Sequence, residues 1–189
     1  MYEEFLSQNM ECARQAVNKA FLAKYTNTAP KELITLWQEV GLGIFCNGLF
    51  RIVSPDDYQD FVDTYIEDKE RYFEYSLPFM TTAFGDIFVW VKDICQKREY
   101  VIFINVRSGN WDIITSRIDL LFNVYIVSEE WLKKDFDLKV TDFSKLTDKL
   151  GIPKADECFG YVPALALGGS KSLKNVQIVK MLPYIEIIA

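Results

Sequence analysis

The sequence predicts an α+β fold, with a mixed or mainly antiparallel sheet flanked by helices. Three observations carry this. Helix-start signals cluster before residue 78, β-branched and aromatic runs broken by Gly turns dominate residues 78–115, and helical patterns return after residue 116. Helices, then strands, then helices suit a segregated α+β chain better than a regular βαβ array. With 189 residues, half of them hydrophobic and 15% aromatic, the chain can bury a sizeable core, which excludes disorder as its main state. The length suits one compact unit, with a single core or two lobes.

The elements follow in order. Residues 2–25 are expected as a helix, with Phe5, Cys12, Ala16, Phe21 and Leu22 among its inward side chains. Pro30 near a first turn, then Leu33, Ile34, Leu36, Trp37 and Val40, predict a second helix that Gly41 ends. Residues 43–53 predict a hairpin about Asn47-Gly48, the preferred dipeptide of a two-residue type I′ turn. Ser54-Pro55-Asp56-Asp57 then opens a helix: a capping hydroxyl, a proline suited to the first position, and two acids at the positive dipole end. Strands are predicted from Phe79 to Phe84, Ile87 to Val91 and Tyr100 to Val106, and a return from Trp111 to Thr115 follows the Ser108-Gly109-Asn110 turn. Residues 117–127 fit either a buried helix or a strand, and helix is the choice; 128–135 and 141–150 are helical. A short strand is expected at 156–162, a last helix near 173–181, and a tail interrupted by Pro183.

Charge is concentrated in one place. The formal net charge is −6, with 21 Lys plus Arg against 27 Asp plus Glu. Residues 1–53 and 76–189 are each balanced, so residues 54–75, with eight acids against Lys69 and Arg71, carry the whole surplus. At 100° per residue, Asp56, Asp60, Asp63, Glu67, Glu70 and Glu74 fall on one narrow arc. Tyr58, Phe61, Val62, Tyr65, Ile66, Tyr72 and Phe73 fall opposite, and Lys69 lies awkwardly among them, so the helix is expected to bend or end there. Such a ridge is either a solvated helix face or a docking surface for a cationic partner. Like charges at these spacings cost a few tenths of a kcal/mol per pair, about what a basic partner would relieve.

Composition excludes much else. There is no histidine, which removes Ser-His-Asp and Cys-His catalysis and His-ligated zinc. The acidic balance disfavours direct nucleic-acid binding and anionic membranes. The start, MYEEFLSQNMECARQ, has neither the basic nor the apolar region of a secretory signal, and no apolar run reaches membrane-spanning length, so a cytoplasmic protein is expected. Four widely spaced cysteines, 12, 46, 95 and 158, suit free and mostly buried thiols. Trp37, Trp90 and Trp131 have core settings, whereas Trp111 follows a turn and is the exposed hot-spot candidate. Gly41-Leu-Gly43 lacks the third glycine of a dinucleotide loop, and Gly168-Gly-Ser-Lys171-Ser lacks the glycine a phosphate loop needs before its lysine. The acid pairs Asp56-Asp57 and Glu129-Glu130 sit at helix starts, and with Asp156-Glu157 they make no recognisable catalytic motif. No catalytic residue, cofactor or metal ligand is assigned.

Two stretches carry a resemblance. Ala29-Pro30-x-Glu-Leu-Ile-x-Leu-Trp37-x-x-x-Gly41, continuing through Asn47-Gly48-Leu-Phe50 to Ser54-Pro55-Asp-Asp-Tyr58, resembles the GAD-like domain. Gly160-Tyr-Val-Pro163-Ala-Leu-Ala-Leu-Gly-Gly169 resembles the C-terminal domain paired with it in bacterial immunity proteins, and Thr82-Ala-Phe84-Gly85-Asp86-Ile-Phe-Val-Trp90 fits the join. The resemblance implies an α+β fold, with a GAD-like region over 1–100 and an immunity-type region over 101–189 packed as one unit. It also implies a non-enzymatic protein that binds and neutralises a toxin, often a nuclease delivered by type VI secretion. Gly41, Gly48, Gly85, Gly168 and Gly169 are then turn residues. The resemblance names no contact residues; the charge pattern adds the expectation of a basic toxin met by Asp56, Asp60, Asp63, Glu67, Glu70 and Glu74. The alternative is a small-molecule-binding or regulatory module built on an apolar pocket.

Overall fold

In the computed structural model, which describes residues 1–10, 12–135 and 140–189, seven strands form one antiparallel sheet, and their order in space is their order in the chain. β1 (Arg14–Gln15), β2 (Leu42–Phe45) and β3 (Phe50–Ile52) lie towards one edge. β4 (Phe73–Thr82), β5 (Ile87–Asp93) and β6 (Glu99–Asn105) follow, and β7 (Asn110–Thr115) closes the far edge. A separate hairpin pairs β8 (Glu157–Tyr161) with β9 (Val176–Lys180). The α+β expectation holds, and the join expected after residue 100 falls inside β6.

Side chains alternate across the pleat, and β5 and β6 are apolar on both sides. Phe88, Trp90, Val101 and Phe103 enter one core; Ile87, Val89, Val91, Ile102 and Ile104 enter the other. Both faces therefore need a cover. On the first face lie α1 (Glu3–Gln8), α3 (Lys31–Glu39) and α6 (Ile118–Leu120), the last continuing as a π-helical stretch to Tyr125. They contribute Phe5, Leu33, Leu36, Trp37, Ile118 and Phe122. α7 (Glu129–Asp135) and α8 (Val140–Leu150) add Leu132, Phe143 and Leu146 to that core. The second face is covered by α4 (Gln59–Tyr65), through Phe61 and Val62, and by α9 (Met181–Ile188), through Met181, Tyr184 and Ile185. No helix among the described residues is long and apolar enough to cross a membrane.

Several elements differ from expectation, each for a local reason. The helix expected over 2–25 is divided, because β1 pairs with β2 through Arg14 and Gly43. α2 (Lys19–Tyr25) restarts after Asn18, whose side chain accepts the Phe21 N–H at 2.9 Å. Glu11 lies outside the described residues. The Asn47-Gly48 hairpin forms, but Phe45 pairs with Phe50, so its connection has four residues and not two. Cys46, Asn47 and Gly48 all have positive φ, and Asn9 Oδ1 accepts the Cys46 N–H at 2.6 Å to hold the loop. β4 begins five residues before Pro78, and its ladder has an irregularity between Pro78 and Met80, consistent with a proline that donates no hydrogen bond.

The C-terminal expectation is also corrected. Val176 to Lys180, expected as helix, is β9, and the tail is α9. Pro183 falls in the first turn of α9, where a backbone N–H has no helical partner to lose. The cysteines are free, yet only Cys158 is fully buried; Cys12 and Cys46 are half-buried and Cys95 is exposed. Burial pushes the Cys46 and Cys158 thiols up to about 12. Trp37 and Trp90 are core residues, while Trp131 is half-buried and stacks on Tyr125 with ring centroids 4.3 Å apart.

Two buried polar groups lock the sheet to its surroundings. Arg51, fully buried, donates to the carbonyls of Gly48 and Pro153, each at 2.9 Å, and so ties the β2–β3 hairpin to the C-terminal third. Asp86, also fully buried, accepts from Arg107 Nε at 3.0 Å, Arg107 Nη2 at 2.8 Å and Thr82 Oγ1 at 3.0 Å. That pair joins the β4–β5 turn to the loop that launches β7. Replacing Asp86 by Ala strips the Arg107 guanidinium of this counter-charge beside the Phe84 ring. The variant should lose about 3 kcal/mol in chemical denaturation; a loss below about 1 kcal/mol would mean that the pair is not structural. Gly169 is a second test. A Cβ there would lie 1.9 Å from the Pro163 carbonyl oxygen, whereas at Gly109 it meets nothing within 4 Å. Gly169→Ala should therefore lower the thermal midpoint more than Gly109→Ala, although only Gly109 has positive φ.

A candidate protein-docking site

The acidic segment folds in three pieces. Pro55–Asp57 form one turn of 3₁₀ helix, α4 follows, and α5 (Lys69–Tyr72) ends where β4 begins. Ser54 precedes the turn as expected, but its side chain makes no capping hydrogen bond. The single helix through Glu74 is thus corrected. It breaks at Ile66, which is extended and buried, and at Asp68, which is left-handed. The break falls beside Lys69, whose half-buried ammonium turns back to pair with Asp63. Continuing the helix would have placed this charge on the apolar side.

Asp56, Asp60, Asp63, Glu67, Glu70 and Glu74 are all exposed. They are not equivalent. Asp56 pairs with Lys24, Asp63 with Lys69, and Glu74, now on β4, with Lys92 at 2.9 Å. The Lys24 hydrogen bond holds the Asp56 carboxyl below the usual carboxylate range and raises the Lys24 ammonium. Asp60, Glu67 and Glu70 have no ion pair among the described residues. Of the other carboxylate pairs, Asp156 and Glu157 both bind Lys180.

Two of these unpaired acids, Asp60 and Glu67, line a cleft of about 990 Å³ between α4–α5, the β6–β7 loop and α9. Glu186 of α9 joins them there, and Tyr65, Tyr72 and Trp111 supply aromatic walls. Tyr72, expected on the inward side, is 52% exposed, because the break at Ile66 and Asp68 resets the helix that carries it. Trp111 is 40% exposed, as its place after a turn suggested. Its ring lies 6.3 Å from that of Phe73, which in turn lies 6.4 Å from that of Tyr72, so the three form a row. Glu186 carried no sequence signal: it reaches the cleft only because α9 packs beside α4. The arrangement offers negative charge next to apolar surface, which suits a guanidinium or ammonium carried on an aliphatic stem.

Comparison with known proteins identifies the scaffold. No curated protein matches the chain. The crystal structure of Atu4351 from Agrobacterium tumefaciens is similar over 100% of this chain and 88% of that one, with 19% identity and a TM-score of 0.72; at this identity the likeness concerns the fold alone. The model of the GAD-like domain matches residues 1–104, more than half of the chain. The model of the type VI secretion immunity protein Tdi1, C-terminal, matches residues 125–189, which supports an immunity role. The chain belongs to the GAD-like family and carries, behind that domain, the C-terminal domain of the Tdi1 type of immunity protein.

Proposed function

We propose that this protein binds and neutralises a cognate toxin in the cytoplasm, by covering a basic surface and without chemistry of its own. The observation that carries the reading is the set of exposed carboxylates at Asp60, Glu67 and Glu70, which have no ion pair among the described residues. An isolated acidic surface is repulsive, and a cationic partner relieves that cost while gaining association rate and specificity. Asp56, Asp63 and Glu74 already have internal cations and act at the rim. A nuclease is the favoured toxin class, because an enzyme that binds phosphate must surround its active site with positive charge. Carboxylates on α4, on α5 and in the turn between them can then stand where phosphates would.

The test is the triple variant Asp60→Lys, Glu67→Lys, Glu70→Lys, with the inactivated product of the neighbouring open reading frame as the binding partner. Association at low salt should slow by about 10- to 100-fold, and the difference from the native protein should shrink as salt rises. An unchanged rate in a folded variant would move the interface elsewhere.

A further inference from the structure

The two edges of the main sheet differ. β1 has two residues, whereas β7 has six and is exposed along most of its length. Natural edge strands are blunted by lysine, proline, brevity or a cover. β7 reads Asn-Trp-Asp-Ile-Ile-Thr, with no lysine and no proline, and its pairing irregularity lies opposite Val101/Ile102, towards its C-terminal end. Among the described residues its main chain bonds only along the β6 ladder. Trp111 and Ile113 pair with Ile104 and Ile102, which places them on the face shared with α4, and they are 40% and 56% exposed. β7 also lies in residues 105–124, which neither family model covers.

We propose that β7 is the strand to which the partner adds: an extended, arginine- or lysine-bearing segment of the toxin pairs along its free edge. One basic side chain of that segment enters the adjoining cleft, over Trp111 and Tyr72 and between Asp60 and Glu67. Backbone pairing supplies affinity that any extended segment could share, and the cleft supplies the choice of side chain. Charge decides the occupant. The cleft is lined by Asp60, Glu67 and Glu186 and by no lysine or arginine. Two copies of this chain joined at β7 would bring like carboxylates together, whereas a basic segment neutralises them.

This rests on the reading that the partner is a basic protein, and the experiment separates the two. Hydrogen exchange is followed at residues 110–115, alone and with the inactivated product of the neighbouring open reading frame. The amides of 110–115 should lose most of their exchange in the complex. Ile113→Lys should keep the thermal midpoint, since its side chain is 56% exposed; Trp111→Lys also loses the ring contact with Phe73 and should lower the midpoint by only a few degrees while weakening binding by at least about 30-fold. Salt-sensitive binding with unchanged exchange at 110–115 would overturn the β7 proposal and leave the immunity reading standing. Absence of binding by the intact protein would overturn both. Protection of 110–115 that appears without partner and grows with protein concentration would assign the edge to a second copy and overturn the toxin segment as its occupant.

Discussion

The structure depends on a central sheet that is apolar on both faces. β5 and β6 send alternate side chains into two cores, and neither can be left to water. Fully burying a side chain such as Phe103 or Ile102 is worth about 1.5–3 kcal/mol, so the chain must supply two covering layers. No single region does this. The first cover draws on α1, α3, the 118–125 helical stretch, α7 and α8; the second draws on α4 and α9. That requirement explains why the C-terminal third, with its own two-stranded hairpin, packs on the same sheet. Phe159 and Val176 of the hairpin enter the first core and Cys158 the second. The Phe159 N–H bonds the Ala83 carbonyl at 2.7 Å, which fixes the hairpin to the end of β4.

The same constraint positions the proposed docking site. α4 must turn Phe61 and Val62 towards the sheet, which leaves Asp60 and Asp63 towards solvent, and Glu67 is exposed in the turn that follows the helix. α9 must cover the same face beside it, which brings Glu186 to the cleft. Asp86 and Arg107 hold the loop before β7, so the edge strand and its tryptophan start from a fixed point.

Legibility followed the range of the interactions. The helix after Pro30, the hairpin around Asn47-Gly48, the strands either side of Gly85-Asp86 and the helical choice for 117–127 were readable, because patterning and turn chemistry within a few residues decide them. The failures share a cause. β1 exists because Arg14 meets Gly43 across the fold. β9 exists because Val176 to Lys180 meets β8, although the same residues scan acceptably as a helix. The acidic helix stops short of Glu74 because β4 claims residues 73–77 for a ladder with β5.

What the sequence determined by itself was composition-level chemistry and local geometry: a histidine-free acidic chain, its net charge carried by residues 54–75, a tryptophan placed just after a turn, and an α+β order of elements. The tertiary structure decided which carboxylates are available. Lys24, Lys69 and Lys92 reach Asp56, Asp63 and Glu74 only in the folded chain, leaving Asp60, Glu67 and Glu70 without an ion pair among the described residues. It also decided that Glu186 and Trp111, far apart in the chain, share a cleft with Asp60 and Glu67. The physical reason is that periodicity reports which way a side chain points, whereas neutralisation and enclosure depend on which distant residues the core brings alongside.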